Sequence, residues 1–286
     1  MEKRVNIPPR KPDWLKIKLP KGFKTQHVVG LLNEHGLHTI CSSGMCPNKG
    51  ECWGNGTATF MICGDICTRN CKFCNVKSGK PLQIDAGEVK KIVDAVKSLN
   101  LKHVVLTSVD RDDLPDYGAS HWVNVIQGIK NISNNITCET LIPDFQGNMK
   151  LVDLIINAGP EVISHNLETV ERLTPMVRSV ATYERSLKVI EHVASRGIRS
   201  KSGIMLGLGE TREEILKTMD DLLSVGCEVL TIGQYLQPSV YHFPVKNYIT
   251  PEVFEEYRVI GKEKGFRHIE SSPFVRSSFH AEKHVL

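Results

Sequence analysis

The feature that most constrains the fold is an alternation of short apolar runs with longer segments of helical periodicity. The apolar runs predict strands at residues 58–62, 103–107, 136–141, 162–166, 203–206 and 229–235. Helical patterns lie between them at residues 86–99, 118–132, 148–157, 182–195, 211–224 and 251–264. Six alternations of strand and helix favour a parallel sheet, because each helix returns the chain to the same edge. We therefore predict an α/β protein, a partial (β/α)6 TIM-like barrel.

Two of these helices carry specific start signals. Thr211 and Glu214 have the spacing of a capping box, in which the hydroxyl and the carboxylate each satisfy a free backbone amide. Pro251 suits the first turn of a helix, where its missing N–H costs nothing. Residues 57–265 would form the barrel, preceded by an N-terminal extension over residues 1–56 and followed by a C-terminal tail over residues 266–286.

Composition excludes several classes of protein. The chain has 286 residues, of which 41% are hydrophobic and 24% charged, as in ordinary globular proteins. A net charge of +4 is too weak to indicate nucleic-acid binding. No apolar run approaches the roughly 18 residues of a membrane span, and the N-terminus lacks the apolar region of a secretion signal. We expect a cytoplasmic protein that binds neither nucleic acid nor membrane.

The nine cysteines are concentrated, with seven of them between residues 41 and 74. Cys41, Cys46 and Cys52 form a C-x4-C-x5-C group, which we call the first triplet. Cys67, Cys71 and Cys74 form a C-x3-C-x2-C group, the second triplet, directly after the first predicted strand. In a reducing compartment such a cluster indicates metal binding or catalysis before disulfides.

Groups of three cysteines favour chemistry over scaffolding. A structural zinc site wants four ligands, and a four-iron cluster normally has a cysteine on every corner. Three thiolates leave one iron open to a substrate or to an unusual ligand. The alternatives are a zinc site in which His35 or His38 completes the first triplet, and a zinc or disulfide role for the second. Cys63, Cys138 and Cys227 have apolar neighbours and are predicted to be buried free thiols.

Polar residues follow three of the predicted strands, at residues 107–113, 165–168 and 234–237. The active sites of (β/α) barrels lie at this end of the strands, although solvated loops are also polar. The glycine-rich segment at 207–210 lacks the G-x-G-x-x-G pattern, so it does not predict dinucleotide binding.

The second triplet, placed after the first strand of a (β/α) repeat, resembles the radical S-adenosylmethionine superfamily. The resemblance implies that three cysteines hold a 4Fe–4S cluster whose open iron binds S-adenosylmethionine. An electron from the cluster then cleaves the sulfonium and gives a 5′-deoxyadenosyl radical, which abstracts hydrogen from unactivated C–H bonds. Such a step is beyond ordinary acid–base side chains, so the cofactor carries it.

Within that superfamily the chain is most similar to the lipoyl synthase family. The similarity runs from Arg10 to Ala281. It rests on the first triplet and on motifs at residues 64–71, 108–115, 139–143, 164–169, 201–210, 233–238 and 276–281. Two departures stand out. Phe279 replaces the usual tyrosine of the tail motif, and a basic residue is missing where Val240 or Tyr241 lies.

The lipoyl synthase resemblance implies two 4Fe–4S clusters and a set of site residues. Cys67, Cys71 and Cys74 would hold the cluster that cleaves S-adenosylmethionine. Cys41, Cys46, Cys52 and Ser278 would hold an auxiliary cluster that is consumed as the sulfur source, with Ser277 as the near alternative to Ser278. Asp110, Arg111, Glu168 and Arg178 could contact S-adenosylmethionine.

The implied reaction inserts two sulfur atoms, at C6 and C8 of an octanoyl chain attached to a lysine of a lipoyl carrier protein. That carrier is the lipoyl domain of a 2-oxoacid dehydrogenase E2 subunit or the glycine cleavage H protein, and two S-adenosylmethionine molecules are used per lipoyl group. The expected electron donor is a ferredoxin or flavodoxin, and the expected state is a monomer. Arg10, Lys11, Lys16 and Lys18 form a basic arm that could contact an acidic carrier.

Three other interpretations remain open from the residues. One is another radical S-adenosylmethionine enzyme that inserts sulfur, similar to biotin synthase or to a methylthiotransferase. Another is a non-catalytic metal module that binds nucleic acid. The last is an iron–sulfur electron carrier, which would ordinarily saturate every iron with cysteine.

Overall fold

The structure is a computed structural model that describes residues 6–16, 30, 32, 34, 36–48, 52 and 59–285. Its described α-helices are α1 (Ile40–Ser43), α2 (Glu88–Ser98), α3 (Ala119–Lys130), α4 (Met149–Asn157), α5 (Thr174–Val177), α6 (Tyr183–Ser195), α7 (Arg212–Ser224) and α8 (Pro251–Lys264). Its described strands are β1 (Thr59–Ile62), β2 (Ile66–Cys67), β3 (Lys77–Ser78), β4 (His103–Ser108), β5 (Thr137–Leu141), β6 (Val162–Ser164), β7 (Arg199–Leu206), β8 (Val229–Gln234) and β9 (His268–Ser271). Among the described residues, no helix is long and apolar enough to cross a membrane.

Contacts between residues divide the chain into two compact units. The N-unit comprises Lys18–Arg69, Val76–Ser164 and His280–Leu286. The C-unit comprises Met1–Ile17, Asn70–Asn75 and His165–Phe279. The predicted division at residues 56 and 265 does not coincide with these units and stays a prediction.

The N-unit contains a parallel sheet in the order β1-β4-β5-β6. Its strands are buried on both faces, as the near-continuous apolar sequence of β1 and β4 requires. Helices α2 and α3 follow β1 and β4 and present Ile92, Trp122 and Ile126, all at most 1% exposed, to the interior. The short strands β2 and β3 pair with each other in a separate parallel ribbon.

The C-unit contains the parallel strands β7, β8 and β9 in that order. Helices α6, α7 and α8 carry buried apolar stripes that join one hydrophobic cluster with the strands. Ile190, Met219 and Phe254 are its fully enclosed representatives from the three helices. Strands followed by helices are therefore the repeating element of both units, and the predicted α/β class is confirmed.

The predicted helix starts are confirmed at atomic level. The Thr211 hydroxyl accepts from the Glu214 amide and the Glu214 carboxylate accepts from the Thr211 amide, which completes the capping box of α7. Pro251 occupies the first turn of α8. The six predicted helices all lie within two residues of their observed bounds at either end.

Three features of the fold differ from the expectation. Strand β9, which pairs in parallel with β8, is not among the six predicted strands and lies in the segment expected to be the C-terminal tail. Strand β7 begins at Arg199, four residues early, and its polar Ser200, Lys201 and Ser202 are at most 1% exposed. The tail ends in a 3-10 helix, Ala281–Val285, in which Ala281 and His284 are 1% exposed.

Candidate functional site

The loop of the second triplet begins with a sharp backbone turn at the carboxyl end of β1. Cys63 and Gly64 both have positive φ, at +67° and +94°. Glycine tolerates that conformation freely, whereas Cys63 adopts it under the constraint of its neighbours. The Cys63 amide donates to Glu88 Oε2 at 2.9 Å, and Arg111 Nη1 donates to the Cys63 carbonyl at 3.1 Å. The chain thus leaves the sheet where the cysteine loop must start.

Cys67, half-buried, receives two backbone hydrogen bonds on its sulfur. The amide of Arg69 lies 3.4 Å from Cys67 Sγ and the amide of Asp110 lies 3.3 Å from it. Cys67 Sγ itself donates to Asp110 Oδ2 at 3.7 Å. N–H groups aimed at a sulfur stabilise the thiolate form that a metal requires.

Arg69 is the most heavily bonded side chain of the loop, and it is only 5% exposed. Its guanidinium binds Asp112 in bidentate geometry at 2.7 and 2.8 Å. It also donates to Asp144 Oδ1 at 2.7 Å and lies 3.2 Å from Asp110 Oδ1. These carboxylates follow β4 and β5, so one buried arginine joins the cysteine loop to the ends of two strands.

The acidic groups around Arg69 titrate differently because their surroundings differ. Burial and the neighbouring Asp112 and Asp144 raise the pKa of Asp110 to about 6, against the opposing charge of Arg69. Burial also acts on Asp112, but hydrogen bonds from Arg69 outweigh it and hold the pKa of Asp112 below its usual value. Burial works against the Arg69 charge, yet the carboxylates keep the pKa of Arg69 above its ordinary value.

Cys71 and Cys74, also half-buried, belong to the C-unit. The Ser179 hydroxyl accepts from the Asn70 amide at 3.1 Å and lies 3.7 Å from Cys71 Sγ, within reach of a hydrogen bond to sulfur. His242 Nε2 lies 3.0 Å from the Cys74 carbonyl oxygen, and its Nδ1 lies 2.8 Å from the Ser239 hydroxyl. The segment with the family departure at Val240 and Tyr241 thus supports the loop through His242.

Arg111, one of the predicted S-adenosylmethionine contacts, is 2% exposed. Its Nε and Nη2 bind the two oxygens of Asp113 at 2.9 Å each, and its Nη1 binds the Cys63 carbonyl. Hydrogen bonding to Arg111 lowers the pKa of Asp113. Arg111 therefore stabilises the backbone turn at Cys63 by a hydrogen bond.

Glu168 and Arg178, two further predicted contacts, lie in the C-unit, and Glu168 forms a parallel bridge with Ile204 of β7. Glu168 has φ +68° and its backbone bonds to Gly203 and Met205, while Asn166 Nδ2 donates to its carboxylate at 3.1 Å. Burial raises the pKa of Glu168, and the charge of Arg178 opposes that rise. Arg178 Nη1 donates to the Ser186 hydroxyl at 2.8 Å.

The first triplet is described at its three cysteines, although residues 49–51 and 53–58 between and after them are not. Cys41 lies in α1 and is 5% exposed, while Cys46 and Cys52 are half-buried. Thr39 caps α1 by accepting from the Ser42 amide, and the Cys46 amide donates to the Cys41 carbonyl at 3.1 Å. His35, the zinc alternative, lies outside the described residues, and His38 is exposed.

The tail places Ser278 in a half-buried turn of the C-unit. Gly233 of β8 lies directly under this tail, and a Cβ at Gly233 would come within 2.1 Å of the Val275 carbonyl oxygen. Arg276 Nη1 donates to the same carbonyl at 2.6 Å. The tail therefore approaches the sheet as closely as glycine permits.

The donor chemistry fits iron–sulfur clusters. The nine cysteines, all of which lie in the described residues, form no disulfide with one another, so none competes for either triplet. Cys63, Cys138 and Cys227 are at most 2% exposed, as predicted for buried thiols. In the described part of the chain, no three His, Cys, Asp or Glu side chains converge on one point that could hold a single metal ion. A cluster makes no such demand, because each of its cysteines binds a different iron.

Residues 61–222 match the family model of the radical SAM superfamily, which is more than half of the chain. This segment contains the whole second triplet and the ends of β4, β5 and β7. The match defines the class of enzyme: a radical S-adenosylmethionine enzyme.

Curated relatives narrow the class. The chain is 64% identical to a lipoyl synthase of Treponema denticola over 97% of this chain and 96% of the relative. It is 60% identical to a lipoyl synthase of Porphyromonas gingivalis over 96% of this chain and 98% of the relative. The chain belongs to the lipoyl synthase family of radical S-adenosylmethionine enzymes that insert sulfur. The family brings with it S-adenosylmethionine and 4Fe–4S clusters, including the auxiliary one.

Solved structures support the fold. Methylornithine synthase superposes with a TM-score of 0.57 at 12% identity, over 87% of this chain and 82% of the other. Streptococcus suis SuiB bound to S-adenosylmethionine gives a TM-score of 0.60 at 11% identity, over 86% of this chain and 54% of the other. At these identities the similarity concerns the fold alone.

Proposed function

We propose that this chain completes a lipoyl group in place, by inserting sulfur at C6 and C8 of an octanoyl chain held on a lysine of a carrier domain. The observation that carries the proposal is the pair of cysteine triplets, in a chain more than half identical to curated lipoyl synthases. Two groups of three are poorly explained by zinc, which wants four ligands, or by electron transfer, which saturates its irons.

The second triplet, Cys67, Cys71 and Cys74, would hold the cluster that binds S-adenosylmethionine. When bound, a 4Fe–4S cluster with one open iron supplies the electron that cleaves S-adenosylmethionine to a 5′-deoxyadenosyl radical. The chain contributes the surroundings of the sulfurs. Amides of Arg69 and Asp110 donate to Cys67 Sγ, and the Ser179 hydroxyl lies beside Cys71 Sγ.

The first triplet and Ser278 would hold the auxiliary cluster that gives up sulfur. Cys41, Cys46 and Cys52 supply soft thiolates, whereas Ser278 supplies a hard oxygen that suits iron among sulfurs poorly. Ser278 should therefore release its iron more readily than a cysteine would, which lets the site open. Ser277 is the near alternative.

The S-adenosylmethionine contacts are proposed at Asp110, Arg111, Glu168 and Arg178. Glu168 and Asp110 are carboxylates at strand ends whose pKa values are raised by burial. The Arg111 guanidinium already binds Asp113 and the Cys63 carbonyl, so its part would be to hold the loop that the cofactor meets.

The substrate is an octanoylated lipoyl carrier, either the lipoyl domain of a 2-oxoacid dehydrogenase E2 subunit or a glycine cleavage H protein. Arg10, Lys11 and Lys16 are exposed on the basic arm, and Lys18 lies outside the described residues. The Tyr248 hydroxyl donates to the Pro9 carbonyl at 3.1 Å, which ties the start of the arm to the C-unit. Charge reversal at the four basic residues should weaken binding of an acidic carrier, and unchanged affinity would refute a role for the arm.

We propose a ferredoxin or flavodoxin as electron donor, a monomeric state and a cytoplasmic location. The family resemblance and the sequence pattern support these three points. Sedimentation of the anaerobic protein tests the monomer.

The decisive experiment is anaerobic reconstitution followed by analysis of iron, sulfide and zinc. The wild type should hold about eight irons, and the Cys67→Ala/Cys71→Ala/Cys74→Ala variant about four. The wild type should convert an octanoylated carrier to the lipoylated form, and the variant should not. Zinc in place of iron, or about four irons in the wild type, would refute the proposal.

The serine assignment has a matched pair of variants. Ser278→Ala should reduce lipoyl formation strongly while the second triplet keeps its irons. Ser277→Ala, one residue away in the same turn, should retain activity. The reverse result would move the ligand to Ser277.

A further inference from the structure

We infer that Arg69 is a positioning residue for the Cys67 sulfur: it fixes the two amides that donate to that sulfur and balances the carboxylates around it. The inference rests on the proposed assignment of Cys67 as a cluster ligand. It concerns a residue that lies between two cysteines of the triplet but carries no sulfur itself.

The geometry links the side chain of Arg69 to both hydrogen bonds on the sulfur. One donor to Cys67 Sγ is the amide of Arg69, at 3.4 Å, and the other is the amide of Asp110, at 3.3 Å. The side chains of these two residues form an ion pair at 3.2 Å. The two donors are therefore fixed to each other as well as to the sulfur.

The rest of the arrangement holds this pair rigidly. Arg69 reaches Asp112 and Asp144, and Asp144 is fully buried. Thr68 adds backbone and hydroxyl hydrogen bonds to the Asp110 carbonyl at 3.0 and 2.9 Å. A buried bidentate pair has little freedom, because both partners lose solvent and gain fixed hydrogen bonds.

Charge gives Arg69 a second effect. Three carboxylates, those of Asp110, Asp112 and Asp144, surround a single guanidinium. Reduction adds an electron to a cluster, so negative charge nearby disfavours it and positive charge favours it. Hydrogen bonds to the sulfurs act in the same direction as positive charge, and both are known determinants of cluster potentials.

The test is a redox titration of reconstituted full-length protein, followed by the electron paramagnetic resonance signal that responds to S-adenosylmethionine. Arg69→Gln removes both the positive charge and the bidentate hydrogen bonds to Asp112. It should disfavour one-electron reduction of the cluster at least tenfold, a shift of about 59 mV to lower potential. Arg69→Lys keeps the charge but loses the bidentate hydrogen bonds, and should lower the potential by a smaller amount.

A variant expected to shift the potential in the opposite direction keeps the inference testable if Arg69→Gln does not assemble its clusters. Asp144→Asn removes a negative charge without touching Cys67, so it should shift the potential upward. Arg172→Gln is the control, because Arg172 forms a similar fork with Glu214 but on an exposed surface. It should leave the potential unchanged.

The outcomes separate the inference from the function. If the Cys67→Ala/Cys71→Ala/Cys74→Ala variant keeps the responsive signal, the assignment of the second triplet fails. If that variant loses the signal while Arg69→Gln and Asp144→Asn leave the potential where it was, the inference about Arg69 alone is wrong. A lower potential in Arg69→Gln together with a higher potential in Asp144→Asn would establish the inference, because a general loss of structure would not shift the two potentials in opposite directions.

Discussion

The two cysteine triplets are supported by different kinds of contact. Around the first we find a helix cap and backbone hydrogen bonds: Thr39 caps a four-residue helix, the Cys46 amide donates to the Cys41 carbonyl, and the Met61 amide of β1 donates to the His38 carbonyl at 2.9 Å. Around Cys67 the bonds are long-range, since Arg69 reaches partners 43 and 75 residues away. If the first triplet holds the cluster that is consumed, as proposed, its support need not be rigid, whereas a site that acts repeatedly gains from buried ion pairs that connect it to two strand ends. The following predictions test that difference.

The largest expected effect is a difference in thiol reactivity between Cys138 and Cys227, which lie outside both triplets, and a cysteine within them. Burial raises the pKa of Cys138 and of Cys227 to about 12, from a usual value of 9.0. Because only the thiolate reacts, alkylation at pH 8 should be slower at these two by about a thousandfold than at an ordinary thiol. Mass spectrometry of the metal-free protein checks this, with half-exposed Cys71 as internal reference. Labelling of Cys138 as fast as Cys71 would contradict it.

Asp144→Ala should weaken the long-range contacts that Arg69 makes from the loop of the second triplet. It removes one hydrogen-bonded carboxylate from the buried Arg69, which keeps its ion pairs with Asp110 and Asp112, so we expect a cost of about 1.5–3 kcal/mol, the usual contribution of a hydrogen bond to a charged group. Denaturant unfolding of the metal-free protein measures the loss. The control is Glu256→Ala, which breaks the exposed pair with Arg212 and should cost under about 1 kcal/mol. Equal losses in the two variants would mean that the Arg69 bonds add no special stability.

Gly233→Ala should disturb the tail that carries Ser278. The new methyl group would meet the Val275 carbonyl at 2.1 Å, so backbone must shift. We expect a loss of about 1–3 kcal/mol, the usual effect of overpacking, together with fewer irons at the first triplet. Gly79→Ala is the matched control, because its Cβ would make only an ordinary 3.5 Å contact with Ile66. Full iron content in Gly233→Ala would indicate that the tail tolerates displacement.

Thr39→Ala should have the smallest effect on stability, about 1 kcal/mol for loss of a helix cap. Because α1 has only four residues and contains Cys41, the iron at the first triplet should also be lost faster to a chelator. Thr182→Ala removes the equivalent cap of the thirteen-residue α6 and should leave chelation unchanged. If both variants release iron at the same rate, local capping does not support the first triplet.

The sequence predicts the repeating strands and helices well, because their apolar periodicity reflects burial directly. It fails at the start of β7, where Ser200 and Lys201 are polar and yet buried inside the sheet. It also misses β9, where His268 and Glu270 interrupt the apolar pattern on a strand that pairs only with β8 among the described strands. The predicted strands are continuous apolar runs buried on both faces, and the start of β7 and the whole of β9 lack such a run.

In the candidate site, too, local sequence patterns predict some residues and miss others. Cysteine spacing and family resemblance predict the six thiols as cluster ligands, because the cysteines of each triplet lie close together in the sequence. Arg69 and Asp144 were not singled out, since their contact joins residues 75 positions apart and no local pattern encodes it. The one local signal for Arg69 is its position between Cys67 and Cys71, two cysteines of a predicted ligand set.

The buried His284 has a consequence for the timing of synthesis. Its Nδ1 lies 3.9 Å from the Glu139 carboxylate, and both residues are 1% exposed. The N-unit therefore takes its final packing from residues made after the entire C-unit sequence. At about 5–20 residues per second, the ribosome needs roughly 6–23 seconds to pass from β6 to this segment. During that interval the N-unit, which contains Cys41 and Cys67, lacks the packing that His284 provides against Glu139.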